Sequence, residues 1–323
     1  MPIRVLRSLS EVGSAARPSA VTIGNFDGVH LAHRRIFHRV VEIARELKLV
    51  PTVLTFDPHP SKVVAPDRAP RLLNNTEERI ALIADCGIEQ VIVLPFDHAF
   101  SQISAQDFVK DILVDGLHAR VVLVGFNFHF GNRKSGNINV LRALGEEYGF
   151  RTEVLPGMSL RGRVVSSTEV RRLIDAGAVA TACRLLGRPY AIRGEVVSGH
   201  GIGSKKTVPT LNLHTAAEVL PHTGVYITRT TDQKDRRVWN SITNVGYRPT
   251  FGGTDLSIET FLLDPLDGER PDQIAVEFLK RVREERKFDS PEALRSQILK
   301  DVATANRYFS RTARLKNQAF INQ

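Results

Sequence analysis

Cysteine, tryptophan and long apolar runs are scarce in this chain. Its 323 residues include two cysteines, one tryptophan and two methionines. Cys86 and Cys183 stand far apart and form no C-x-x-C pair, which argues against a disulfide framework or a cysteine-built zinc site. No run approaches the ~20 apolar residues of a membrane span, and the opening MPIRVLRSLSEVGSAARPSA lacks the apolar centre of a signal peptide. These absences lead us to expect a soluble chain in a reducing cytoplasm, with no membrane partner. A G-x-G-x-x-G turn after the first apolar strand is also missing, which speaks against a dinucleotide-dependent dehydrogenase.

What is present begins with charge. Forty-four Lys and Arg against 35 Asp and Glu give a formal net charge of +9, a surface that attracts anions such as nucleotides or nucleic acid. The densest basic stretch, KRVREERK at 280–287, could be a phosphate-contacting surface of a nucleic-acid-binding protein. Its bases alternate with acids and no aromatic stacking motif accompanies it, so we read it as a solvated face and expect no specific nucleic acid.

At about 100–200 residues per domain, this length suggests two domains. Residues 1–186 alternate buried-strand patterns with helical ones. AVTIG (20–24), VPTVLTF (50–56), QVIVLPF (90–96), RVVLVGF (120–126) and TEVLP (152–156) read as strands of a parallel, doubly wound, Rossmann-like sheet. Between the first two, Ile36, Val40, Ile43 and Leu47 mark one helix face. NTEERIALIADCG (75–87), SAQDFVKDIL (104–113) and NINVLRALGEEYGF (137–150) supply further helices, and 167–186 reads as two short ones. Residues 187–323 change texture. AIRGEVVSG, TLNLHT, GVYITRTT, RRVWNSITNVG and SIETFLLD are short alternating segments broken by Gly, Pro and Asn, the pattern of a small antiparallel β-barrel. A final helix starts at Ser290-Pro291 and carries Leu294, Ile298 and Val302 on one face.

The stretch IGNFDGVHLAHRRIF (23–37) places a glycine bend and two histidines three residues apart at a strand-to-helix turn. Ligands of a doubly wound sheet bind at such turns, and the unpaired N–H groups of the helix start attract phosphate. His30 and His33 share one helical face, and both can donate to an anion. An imidazole protonated near neutral pH would neutralise charge there.

GNFDGVHLAH resembles the G-x-F-D-G-x-H-x-G-H signature of nucleotidyltransferases, in the version of the bacterial bifunctional riboflavin kinase/FAD synthetases. Ala32 stands where that signature has its last glycine. TFDPHP (55–60), GFNFHFG (125–131) and VSSTEVRR (165–172) match further blocks of the family in order. The resemblance implies that residues 1–186 transfer adenylate from ATP to FMN, releasing pyrophosphate and giving FAD. It implies His30, His33 and Arg171 as catalytic groups, and Gly24, Phe26, Asp27, Gly28, Asn127, Ser166, Ser167 and Thr168 around ATP. Asp57, Pro58 and His59 would lie on the flavin side. Phe128 and Phe130 read as core or stacking residues.

In the second half, GHGIGSKKTVPTLNL (199–213) fails the P-loop pattern at Ser204 and Lys206. It resembles instead the riboflavin kinase stretch ending P-T-A-N, while TNVGYRPTFGG (243–253) and IETFLLD (258–264) match later kinase blocks. The resemblance implies phosphorylation of riboflavin to FMN, with Glu259 as base and with ATP and Mg2+ held by Gly201, Gly203, Lys205, Thr210 and Asn212. Thr210 and Asn212 would be the metal ligands. Ser204, Thr207, Val208 and Phe261 depart from the kinase pattern, which leaves open an FAD synthetase whose kinase half mainly binds flavin. ATP, riboflavin, FMN and FAD are the expected partners, and a homo-oligomer is possible.

Overall fold

The computed structural model describes residues 3–13, 17–197, 210–250 and 253–321. They form two compact units, 1–169 and 170–323. The first is built on a six-stranded parallel sheet: β1 (Arg4–Leu6), β2 (Ser19–Ile23), β3 (Val50–Asp57), β4 (Gln90–Pro95), β5 (Ala119–Gly125) and β6 (Arg151–Leu155). Their spatial order is β1-β4-β3-β2-β5-β6. Five of these strands lie where the apolar runs predict them. β1 was not expected, because three residues of the N-terminal segment carry too short a pattern to read. Its register, Val5 opposite Val91, makes it an edge strand.

Alternate residues of each strand enter opposite cores. Val21, Ile23, Leu54 and Phe56 join Val109, Ile112 and Leu141 on one face. Ala20, Val53 and Val91 join Phe37, Val40 and Ile43 on the other. Of the helices α1 (Leu31–Leu47), the short α2 (Pro60–Val64), α3 (Thr76–Ala84) and α4 (Ile138–Tyr148), all but α2 contribute buried residues to these cores. The segment Phe108–Gly116 winds as a π-helix. In α1 the buried stripe runs through Phe37, Val40, Ile43 and Ala44, while Leu47 is half exposed. The face is thus rotated from the expected one, because α1 leans on β2 and β3 and leaves its last turn outside. A small hairpin, β7 (Ser159–Leu160) with β8 (Arg163–Val164), precedes α5 (Ser167–Asp175).

In the second unit, α6 (Val179–Leu186) packs on β9 (Tyr190–Val197) and β14 (Gln273–Arg283). Those strands, with β10 (Thr210–His214), β11 (Gly224–Asp232), β12 (Val238–Thr250) and β13 (Gly253–Leu262), close an antiparallel barrel in the order β10-β13-β12-β11-β14-β9. β14 was masked in the sequence by its charges. Val276 and Phe278 are fully buried, while Lys280 and Arg281 remain accessible. Threonine and serine line part of the interior without loss, because their hydroxyls pair. Thr228 bonds Ser241 and Thr243 at 2.8 Å each, and Thr243 bonds Thr260 at 2.9 Å.

The last helix, α7 (Pro291–Ile321), extends well beyond the expected span. Its expected apolar face is partly wrong: Leu294 and Ile298 are 42% and 41% exposed. The helix docks through Val302, Ala305, Tyr308 and Phe309 on Val225, Ile227 and Ile242. Buried Asp301 accepts from Arg283 Nε at 3.0 Å and Nη2 at 2.9 Å, which anchors α7 to the end of β14.

Candidate active sites

In the first unit β3, β2 and β5 are adjacent and parallel, so the loops that follow them open side by side. They carry Gly24–His33, Asp57–His59 and Asn127. The chain reverses direction across the sheet between β2 and β5, which is where ligands of such sheets bind.

The turn after β2 is under strain. Phe26 and Val29 have φ of 50° and 40°, and Gly28 has φ of 79°. A β-branched residue in the left-handed region costs on the order of 1–3 kcal/mol and persists only where neighbours hold it. Three anchors do so. Asp27, 4% exposed, turns its carboxylate inward, and Oδ1 accepts from Leu73 N at 2.9 Å. Ser167 Oγ donates to Asp27 O at 2.8 Å. Arg79 donates to Asn25 O at 3.1 Å. Gly28 is required twice over, since a Cβ there would also lie 2.6 Å from Leu73 Cδ1.

His30 is the N-cap of α1, and its Nδ1 accepts from His33 N at 3.3 Å. With Nδ1 an acceptor, the proton of the neutral ring sits on Nε2. The His30 and His33 rings stack at 3.6 Å with 21° between planes, and the buried Phe26 ring meets His33 edge-on. Burial, and then the neighbouring His30, hold the His33 pKa well below 6.5. This corrects the expected role of its charge: at neutral pH His33 is an uncharged imidazole. It follows that protonating it opposes folding. The unfolded ring binds its proton first on acidification, so the stability contributed by His33 is complete above 6.5 and lost as pH falls toward the folded value. Thermal unfolding of the wild type therefore moves to lower temperature below pH 6.5, and His33→Gln has the shallower dependence.

Asp57 and Pro58 are exposed at the end of β3, joined by a cis peptide, whereas His59 is buried and caps α2 by accepting from Ser61 N at 3.2 Å. Asn127 is exposed past β5. Phe128 and Phe130 stack at 5.4 Å, with Phe130 in the core. Ser166 Oγ accepts from Glu169 N at 3.2 Å as α5 begins. Thr168 is exposed on its first turn, and Arg171 lies one turn beyond Ser167 on the same helix face.

In the barrel, Asn212 and Glu259 are direct cross-strand partners, and Glu259 is paired on its other side with Asn244. Paired residues point to one face, so Asn212, Glu259 and Asn244 form a row, all three partly buried. Thr210 shares that face, two residues before Asn212 and opposite Phe261. Gly201, Gly203 and Lys205, like Ser204, Thr207 and Val208, lie outside the described residues.

The FAD synthetase family profile matches residues 13–169, and the riboflavin kinase profile matches residues 186–309. The bifunctional riboflavin kinase/FMN adenylyltransferase of Escherichia coli K12 is 34% identical over 311 residues, which are 96% of this chain and 99% of that one. This chain belongs to that bifunctional family. Its Pseudomonas fluorescens relative, bearing the same description, is 36% identical over 304 residues, 94% of this chain and 97% of the relative. Among solved structures, a protein described as a macrolide-efflux protein from Streptococcus pneumoniae shares the fold at a TM-score of 0.83 and 26% identity, covering 95% of this chain and 99% of that one. Among the described residues here, no helix is long and apolar enough to cross a membrane.

ATP-dependent kinases and adenylyltransferases generally use a divalent metal. Among the described residues no cluster of three His, Cys, Asp or Glu could hold one. The Thr210 hydroxyl and the Asn212 carboxamide, beside Glu259, offer hard oxygen donors of the kind such a metal takes. Sequence reasoning missed Arg79 and Asn244. Arg79 had a signal, as an arginine one turn before Ile83 on the apolar face of its helix, and Asn244 stands in the quoted TNVG block.

Proposed function

We propose that the two units act in succession on one flavin. In the barrel unit, the 5′-hydroxyl of riboflavin attacks the γ-phosphorus of ATP; Glu259 takes the hydroxyl proton, the β,γ P–O bond breaks, and FMN and ADP result. Thr210 and Asn212 would hold magnesium, which would supply charge neutralisation for the ATP phosphates. In the sheet unit, a phosphate oxygen of FMN attacks the α-phosphorus of ATP, the α,β P–O bond breaks, and pyrophosphate leaves as FAD forms. No covalent enzyme intermediate is needed, so catalysis is positioning plus charge stabilisation. His30 and neutral His33 at the N-terminus of α1, with Arg171, stabilise the developing charge. The Gly24–Gly28 turn, Asn127 and the Ser166–Thr168 start of α5 receive ATP, and Asp57–His59 faces the flavin.

The observation that carries this reading is the strained turn at the sheet's switch point, which sets two stacked imidazoles at a helix N-terminus. Two ATP-dependent steps suit a cytoplasmic enzyme, as do two cysteines that form no disulfide. Riboflavin, ATP and magnesium incubated with the full chain should yield FMN and then FAD on a chromatogram. Given FMN in place of riboflavin, the chain should release one pyrophosphate per FAD. No FAD from FMN would sink the adenylyl-transfer reading.

A further inference from the structure

A charged guanidinium lies almost wholly buried between the two loops assigned to ATP and flavin. Arg79 is 2% exposed and sits on α3, whose start is fixed by a capping box between Asn75 and Glu78. Its Nη1 donates to Asn25 O at 3.1 Å, inside the strained turn after β2. Its Nη2 donates to Phe56 O at 2.9 Å, one residue before the exposed Asp57 of β3. Nη2 also lies 3.4 Å from Thr76 Oγ1, and Nε finds no acceptor among the described residues. One planar group thus ties together the backbones of both loops.

A buried guanidinium is expensive. Desolvation lowers its pKa, and Asp27, Asp57 and Glu77 raise it again. An arginine nonetheless stays protonated in proteins, so a full charge occupies the core at this point. An apolar side chain would fill the same volume without that cost, but it could not bond two carbonyls at a fixed separation.

We propose that Arg79 is a positioning residue for adenylyl transfer, setting the distance between the turn that carries His30 and the loop that carries Asp57. The proposal rests on the adenylyl-transfer reading above. Arg79 acts through Asn25 and Phe56 and touches no substrate. In-line attack on phosphorus depends on the attacking and leaving oxygens being held in register, and a displacement of about 1 Å costs roughly 10²-fold in rate.

The test uses the full chain, with FAD formation from FMN and FMN formation from riboflavin measured on the same preparation. Arg79→Met is expected to lower kcat for FAD formation about 10²-fold, with KM for ATP and FMN within about threefold and the kinase rate unchanged. Arg79→Lys keeps the charge and reaches one carbonyl, so it should recover part of the loss and serves also if the methionine variant does not fold. Ile83→Ala, a fully buried position on the same helix, supplies a destabilised control that moves neither carbonyl. It should keep kcat near wild type below its melting temperature. Wild-type kcat in both Arg79 variants would overturn the proposal, as would losses in Arg79→Lys and Ile83→Ala that simply track the folded fraction. A wild type that makes no FAD from FMN would instead sink the reading beneath it.

Discussion

Replacing His30 with alanine lowers FAD formation from FMN by about 10²–10³-fold and leaves the conversion of riboflavin to FMN intact. The size follows from removing a preorganised donor aimed at charge that develops on phosphate oxygens. Two effects are mixed in that substitution, because His30 Nδ1 also caps α1 by accepting from His33 N. Loss of a side-chain cap costs about 1 kcal/mol of stability. His30→Asn separates them. Asparagine is a favoured N-cap and restores the bond to His33 N, so its melting temperature should match the wild type while FAD formation stays low. A His30→Asn variant with wild-type FAD synthesis would reduce His30 to a cap. The kinase assay on the same chain reports that the second unit is folded in each variant.

The second large effect belongs to the barrel. Glu259→Gln should reduce FMN formation from riboflavin by about 10²–10⁴-fold, the range expected for loss of a general base, while FAD formation from supplied FMN continues. Glutamine keeps the size and hydrogen-bonding capacity of the side chain but cannot accept the hydroxyl proton. The row formed with Asn212 and Asn244 should survive, so KM for ATP should move far less than kcat. FMN formation at the wild-type rate in this variant would remove Glu259 from the reaction. Together the two substitutions divide the chain's activities: the first blocks the second step and spares the first, and the other does the reverse.

The relation between sequence and structure differs between the two kinds of information. The central parallel strands were legible because a strand buried on both faces reads as a largely apolar run, as β2 through β5 do, and the edge strand β6 was found from its shorter Val-Leu end. The helix starts at Asn75 and Asn137 were legible because capping is local chemistry within four residues. β14 was not, since Glu277, Lys280, Arg281 and Arg283 interrupt its apolar pattern, and only closure of the barrel shows that Val276 and Phe278 face inward. The rotated face of α1 and the exposed Leu294 and Ile298 of α7 have the same origin. Periodicity reports that a helix has an apolar side but not how far along its length a partner reaches.

Within the sites, residue types at fixed spacing along a single chain segment sufficed to mark the turn at 23–37, and separate blocks singled out Asn212 and Glu259, whose pairing only the barrel shows. Which atoms would serve chemistry and which would hold the loop depended on bonds between distant segments. Asp27 and Leu73 are 46 residues apart, and Ser167 and Asp27 are 140 apart. Packing brought them together, turned the Asp27 carboxylate inward, and put Arg79 across two loops. It also desolvated His33, leaving it uncharged. A linear sequence specifies the groups available and their local geometry; their burial, and with it their protonation and division of labour, arises only when separate elements exclude water from around them.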